Sequence, residues 1–171
     1  MKSIVIYSSL TGNTKQVAEA ITSVLPAGTP CVSMKEVPSD LSSYDLVFAG
    51  FWVDKGTANK EARDVLGTLH NPHIALFATA GVPPQMAHAK ESLINAANCL
   101  PDGVEPVGTF ICQGKVDPKV IEMMYKMFPK GHSHGQSADR DARHKQAAVH
   151  PNEDDFKAAQ DFAQYILAKL D

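Results

Sequence analysis

Apolar runs of strand length alternate with amphipathic stretches along the whole chain. Residues 3–8 are rich in Val, Ile and Tyr and predict a strand. Residues 13–25 follow with Val17, Ala18, Ile21 and Leu25 at helical spacing, and Pro26, Gly28 and Pro30 end that helix. The pattern continues with a short strand at 31–34, a nearly all-apolar strand at 44–50 and a helix at 59–69. A fourth strand at 73–79 is closed by Gly81, Pro83 and Pro84, and a helix at 85–98 leads to a fifth strand at 105–113. A short helix at 118–128 and a terminal one at 154–170 complete the chain. Three of the strands show no alternation, so both of their faces are buried, as a parallel sheet covered by helices requires. The expected fold class is α/β, a three-layer doubly wound five-stranded parallel sheet in a single domain over residues 1–171. The polar stretch at 131–151, made largely of Gly, Ser, His, Asp, Arg and Lys, reads as a long exposed loop. In such a fold ligands gather beyond the carboxyl ends of the strands, so the chemistry is expected after Tyr7, after Ala49 and after Thr79.

Composition narrows the function. The net charge is -3 with no dense run of Lys or Arg, which argues against binding a nucleic-acid backbone. The apolar N-terminal run is of strand length, too short for a signal-peptide core or a membrane span. The 3 cysteines, Cys31, Cys99 and Cys112, are far apart and form no Cys-x-x-Cys pair, which removes support for zinc ribbons, thioredoxin-type motifs and cysteine-ligated clusters. Free thiols in a reducing cytoplasm fit, and a cytoplasmic location is expected.

The segment from Ser8 to Thr14 joins the first strand to the first helix. Amides at a helix N-terminus are unsatisfied donors, and the helix dipole adds partial positive charge. Ser9, Thr11 and Thr14 contribute hydroxyls, and Gly12 lets the backbone approach closely. Such a turn can surround a phosphate without any cationic side chain. It is not a Walker loop, because Gly12 is followed by Asn13 and Thr14 rather than Lys and Ser/Thr. It has one glycine where a dinucleotide fingerprint has three, lacks the Cys of a low-molecular-weight phosphatase, and lacks the acidic cluster of a response regulator.

The run Ser9-Leu10-Thr11-Gly12-Asn13-Thr14 resembles the phosphate-binding signature of the flavodoxin family, Ser/Thr-x-Thr-Gly-x-Thr after the first strand. The resemblance extends in β-α order over essentially the whole chain. It implies strand order 2-1-3-4-5 and FMN as a non-covalent cofactor. In that family the loop after the third strand supplies an aromatic residue to the flavin ring. The best match is Trp52, the single Trp, with Phe51 as the alternative and Val53, Asp54 and Gly56 beside them. The turn Asp54-Lys55-Gly56 matches the family's turn that presents a carbonyl to the flavin N5, and Lys55 is unusual there. The loop holding Thr79, Ala80 and Gly81 is expected to meet the pyrimidine edge through backbone groups. It carries no aromatic residue, which leaves one ring face open or covered by Val82 and Pro83.

The expected function is electron transfer with a partner reductase or oxidoreductase, by a monomer or weak homodimer. The open ring face and the stretch at 131–151 favour an alternative, an NAD(P)H-dependent FMN quinone or small-molecule reductase. A flavin-free binding module is a third possibility. His132, His134, His144 and His150 read as solvated loop residues, Arg140 and Arg143 as solvated charge, and Met123, Met124, Met127 and Phe128 as core packing on a short helix.

Overall fold

The computed structural model describes residues 1–171. Its strands are β1 (Ser3–Tyr7), β2 (Cys31–Ser33), β3 (Leu46–Asp54), β4 (Thr57–Ala58), β5 (His73–Ala80) and β6 (Gly108–Gln113). Its helices are α1 (Asn13–Thr22), α2 (Lys60–Leu66), α3 (Ala87–Ala97), α4 (Pro118–Met127), α5 (Ala138–Ala147) and α6 (Glu153–Leu170). The sheet runs β2-β1-β3-β5-β6 with every one of these pairings parallel. With the two-residue β4 set aside, this is the expected order 2-1-3-4-5.

Period-2 alternation divides the apolar side chains of the sheet between two faces. One face carries Val5, Leu46, Phe48, Ala75 and Phe77 against Val17, Ala18 and Ile21 of α1 and Ala159, Ala163 and Ile166 of α6. The other carries Ile4, Ile6, Val47, Ala49, Phe51 and Leu76 against Ala62 and Leu66 of α2 and Ala96 of α3. The central strands are buried along almost their whole length, which is why they read as unbroken apolar runs. Gly50 sits where a Cβ would lie 2.1 Å from Cζ of Phe77, so the ring of β5 occupies the place of a side chain on β3.

Two elements depart from the sequence expectation. The third strand does not end at Gly50. It runs on to Asp54 and turns back through Lys55 and Gly56 into β4, pairing Val53 with Ala58 and Asp54 with Thr57. Lys55 and Gly56 have φ of 49° and 78°, and left-handed conformation at both central residues is the mark of a type I′ hairpin, whose twist matches the flanking strands. The stretch at 131–151 is not all loop, because it holds α5. Ser137 caps that helix by accepting the Arg140 N–H at 3.2 Å, Asp139 and Asp141 lie in its first turn, and His144 and Lys145 in its last. This charge order complements the helix dipole. No helix is long and apolar enough to cross a membrane.

Candidate functional site

The carboxyl ends of four strands open onto one cavity. The turn after β1 brings Leu10, Thr11, Asn13 and Thr14 to it, β3 brings Trp52, Val53 and Asp54, and the end of β5 brings Thr79, Ala80 and Gly81. The fourth wall is Gly114, Lys115, Val116 and Asp117 after β6, with Val120 from α4. Ten of the residues expected from the sequence therefore line one space.

The turn is built as an anion cradle. Gly12, at φ 93°, is the N-cap of α1; its N–H donates to Ser9 Oγ at 3.1 Å and its carbonyl accepts from Gln16. The amides of Thr11, Asn13, Thr14 and Lys15 donate to no protein acceptor. The hydroxyls behave differently from the sequence expectation. Ser9 Oγ is engaged by Gly12, and the buried Thr14 Oγ1 pairs with Thr79 Oγ1 at 2.9 Å. These two contacts hold the turn in shape; Ser9 Oγ only accepts in its contact, so its O–H remains free to donate alongside Thr11 and the backbone amides. The end of β1 is secured by Ser8, whose hydroxyl donates to the Glu61 carboxylate and accepts from Asn59 Nδ2 at 2.8 Å.

Trp52 is half-buried at the cavity and pairs in register with Thr79 of β5. Phe51 is excluded as a ring-stacking residue, because strand alternation turns it to the opposite face, fully buried among Ile4, Ile6, Ala49 and Leu76. Gly56 also stands away from the cavity lining. It is at the hairpin tip, its carbonyl accepting from Asn95 Nδ2 of α3 at 2.8 Å. Ser9 and Gly12 are not among the lining residues; they are joined to each other within the turn. Beyond β5, the amides of Gly81 and Val82 have no protein acceptor, whereas the carbonyls of Ala80 and Gly81 accept from Gly114 N (2.7 Å) and Gln113 Nε2 (3.3 Å).

The wall after β6 lies outside the sequence expectation, which places the chemistry after the first, third and fourth strands. A doubly wound sheet aligns every carboxyl end on one edge, so Gln113-Gly114 at the end of the fifth predicted strand was the available signal. Gly114 packs so closely that a Cβ would lie 2.9 Å from Asn13 Nδ2 and 3.3 Å from Thr79 Cβ. Lys115 places a cation at the rim of a site expected to have none from the turn itself. Nearby burial acts on two groups. Tyr7, at the end of β1, has its hydroxyl pushed above its ordinary range, and Cys112, paired with Thr79 in register, is pushed up to about 12, with the Asp155 charge adding to the effect.

The donor set fits FMN. A phosphate ester needs several N–H groups at a helix N-terminus, and a flavin needs an aromatic wall with a few polar groups at its edge. The turn, Trp52 and the amides of Gly81 and Val82 provide these.

Comparison with known proteins agrees with this geometry. The family described as "Flavodoxin domain" matches residues 4–164. The chain is 35% identical over 176 residues to the flavodoxin-like domain-containing protein BilS of Clostridioides difficile, covering 99% of this chain and 98% of that one. In structure it resembles oxidised flavodoxin 2 from Bacillus cereus (TM-score 0.52, 15% identity, 99% of each chain). It also resembles the flavoprotein of Lactobacillus acidophilus in complex with FMN (TM-score 0.51, 19% identity, 65% of this chain and 93% of that one). At these identities the two structural likenesses speak to the fold alone. Family match, full-length relative and sheet order together place this chain in the flavodoxin family.

Proposed function

We propose that the chain binds FMN non-covalently and transfers electrons between it and a partner redox protein. The observation that carries this reading is the set of amides of Thr11, Asn13, Thr14 and Lys15, which have no protein acceptor, beside a cavity walled by Trp52. Membership of the flavodoxin family supports it, as does a fold neighbour described with FMN bound.

Bound FMN supplies one- and two-electron chemistry at its ring. The residues around it have separable tasks. The amides of the turn hold the phosphate at the positive end of α1, where the helix dipole adds to their attraction. Trp52 offers a flat face to the ring, and Val53, Val116 and Val120 keep water from it. Gly81 and Val82 N–H groups are available to carbonyl acceptors at the ring edge. Lys115 would favour negative charge on the bound group, while Asp54 and Asp117 in the same lining would oppose it.

The test is titration of flavin-free protein with FMN, followed by fluorescence quenching, then stepwise dithionite reduction and addition of NADPH. Tight uptake of FMN, reversible reduction and indifference to NADPH are the expected results. Rapid bleaching by NADPH points instead to the reductase alternative, and no uptake of FMN rejects the flavin reading altogether.

A further inference from the structure

The segment between Gly114 and His150 closes on itself at the cavity. The Lys115 N–H donates to the His150 carbonyl at 2.8 Å, so the start and end of the segment meet there. Asn13 Nδ2 holds the Lys115 carbonyl at 2.8 Å, tying that junction to the phosphate turn. Within the segment, the Tyr125 hydroxyl joins α4 to α5 through Asp141 Oδ1 (2.8 Å) and His144 Nδ1 (3.1 Å). No residue of α4 is buried, and α5 buries only Ala147. The two helices form an arm standing on the cavity rim.

The apolar residues of α4 are not core, contrary to the sequence expectation. Val120, Met123, Met124 and Met127 recur at the spacing of a single helical face. Val120 lines the cavity, while Met123 and Met127 are 53% and 66% exposed. The stripe therefore runs from the cavity mouth outward. Three of the chain's 6 methionines lie in it, and methionine is the apolar side chain best able to adapt to a partner surface.

Charge sets this arm apart from the body. Residues 114–150 carry 7 Lys and Arg against 4 Asp and Glu, whereas the rest of the chain carries 9 against 15. The acids of the arm are largely engaged within it: Asp117 accepts from Lys119 N, Asp141 from Tyr125 and Gln136, and Glu122 pairs with Lys126. Lys115, Lys119 and Lys130 form no ion pair. An adaptable apolar stripe with a basic border thus leads to the place where the ring would lie.

We propose that the α4–α5 arm is the docking surface for an acidic redox protein. Its carboxylates would face Lys115, Lys119 and Lys130, and its apolar centre would cover Met123 and Met127. This rests on the FMN reading and adds the partner's chemistry to it. Opposite charge steers encounter, and burial of a central apolar patch holds the complex. A second copy of the chain is the poorer occupant, because pairing two arms across a twofold axis sets like charges against each other.

The test uses a plant-type [2Fe–2S] ferredoxin, an acidic carrier, as probe in anaerobic stopped flow against the FMN-loaded protein. Two reduced ferredoxins each give one electron, both clusters end oxidised, and the flavin gains the two electrons with a proton from water. The expected rate falls as salt rises, although a net charge of -3 by itself would make it rise. The double variant Lys119→Glu/Lys130→Glu and the double variant Met123→Asp/Met127→Asp should each slow transfer at low salt by at least about tenfold. Both pairs lie outside the cavity lining, so FMN uptake and the circular dichroism spectrum should stay unchanged. A rate that rises with salt, or that both variants leave intact, overturns the docking proposal while normal FMN uptake preserves the flavin reading. Sedimentation showing a wild-type dimer that Met127→Asp dissolves also overturns it, in favour of a second copy. A wild-type chain that takes up no FMN overturns both readings before ferredoxin is added.

Discussion

Asn13 Nδ2 donates a 2.8 Å hydrogen bond to the main-chain carbonyl of Lys115, joining positions 102 residues apart across the mouth of the cavity. The bond fixes the phosphate turn relative to the wall after β6. Removing it in Asn13→Ala loses about 1 kcal/mol of positioning, and the FMN dissociation constant should rise about fivefold. Asn13→Asp separates affinity from stability. A carboxylate in the first turn favours α1 by about 0.3–1 kcal/mol. The same charge repels both the Lys115 carbonyl and a phosphate. Its melting temperature should stay at or above that of the alanine variant while its FMN affinity drops further. Equal affinity in Asn13→Asp and wild type would remove the anion from the turn.

Trp52 and Phe51 are neighbours with opposite duties. Trp52→Ala removes the aromatic wall and should weaken FMN binding by about 1 kcal/mol, or about fivefold, beyond lost area, while Trp52→Phe retains most of the affinity. Phe51→Ala empties a fully buried site and should cost about 3–5 kcal/mol of folding stability. Denaturant unfolding of the flavin-free protein measures the second effect, and fluorescence titration the first. If Trp52→Ala binds FMN as wild type does, the ring lies elsewhere.

How much of this could be read in the sequence follows from how local each signal is. The apolar runs around Ile4, Phe48 and Leu76 are buried on both faces, so strand type and parallel pairing were legible. The turn from Ser9 to Thr14 was legible because its donors are consecutive. The turn at Asp54-Lys55-Gly56 was legible through Gly56 and the family resemblance, whereas the left-handed φ of Lys55 and the pairing of β4 were not, since lysine is an uncommon residue at left-handed φ. The wall around Lys115 had a signal in the strand end at Gln113-Gly114, but the bonds that set its exact place, to Asn13 and His150, are remote in sequence. Helix α5 carried its own signal in Ser137 and in the order of its charges, and a polar face without apolar periodicity hid it.

The hairpin tip can be tested on its own. Gly56 has φ 78°, and its carbonyl is held by Asn95. Gly56→Ala should cost about 1–2 kcal/mol, the penalty of placing a Cβ at left-handed φ. Asn95→Ala releases the carbonyl and should loosen the hairpin without touching the phosphate turn. In FMN-loaded protein the expected result is a shifted midpoint potential with little change in affinity for free phosphate esters. An unchanged potential in both variants would uncouple the hairpin from the ring.

Cys112 provides a check on the packing of β6. Burial, reinforced by Asp155, pushes its thiol up to about 12. The folded value lies above the unfolded one, so the group stabilises the fold below the ordinary thiol range and that contribution fades as pH rises through the folded value. At pH 8 in native protein Cys112 should resist iodoacetamide, and mass spectrometry should find it alkylated only after unfolding. Labelling of Cys112 as fast as of half-buried Cys31 and Cys99 would contradict the packing.

The α4–α5 arm should loosen in acid. Burial and the neighbouring Arg140 and Arg143 hold His144 below its ordinary value of 6.5, against the pull of Asp141. Asp141 is held below 3.8, chiefly by the hydrogen bond from Tyr125 and then by that from Gln136. Both folded values are depressed, so in each window the unfolded arm binds more protons and stability falls with pH. The His144 window opens first, as pH drops below about 6.5. The Asp141 window opens only near 3.8 and below. Amide cross-peaks of Tyr125 and of residues 141–147, around the Tyr125–His144 contact, should shift or broaden in a 15N NMR titration from pH 7.5 to 5 while those of the central strands stay fixed. In His144→Gln the change above pH 5 should vanish, leaving only the Asp141 transition in stronger acid. An arm whose spectrum stays constant down to pH 5 in wild-type protein would show that the Tyr125–His144 contact does not hold the two helices together.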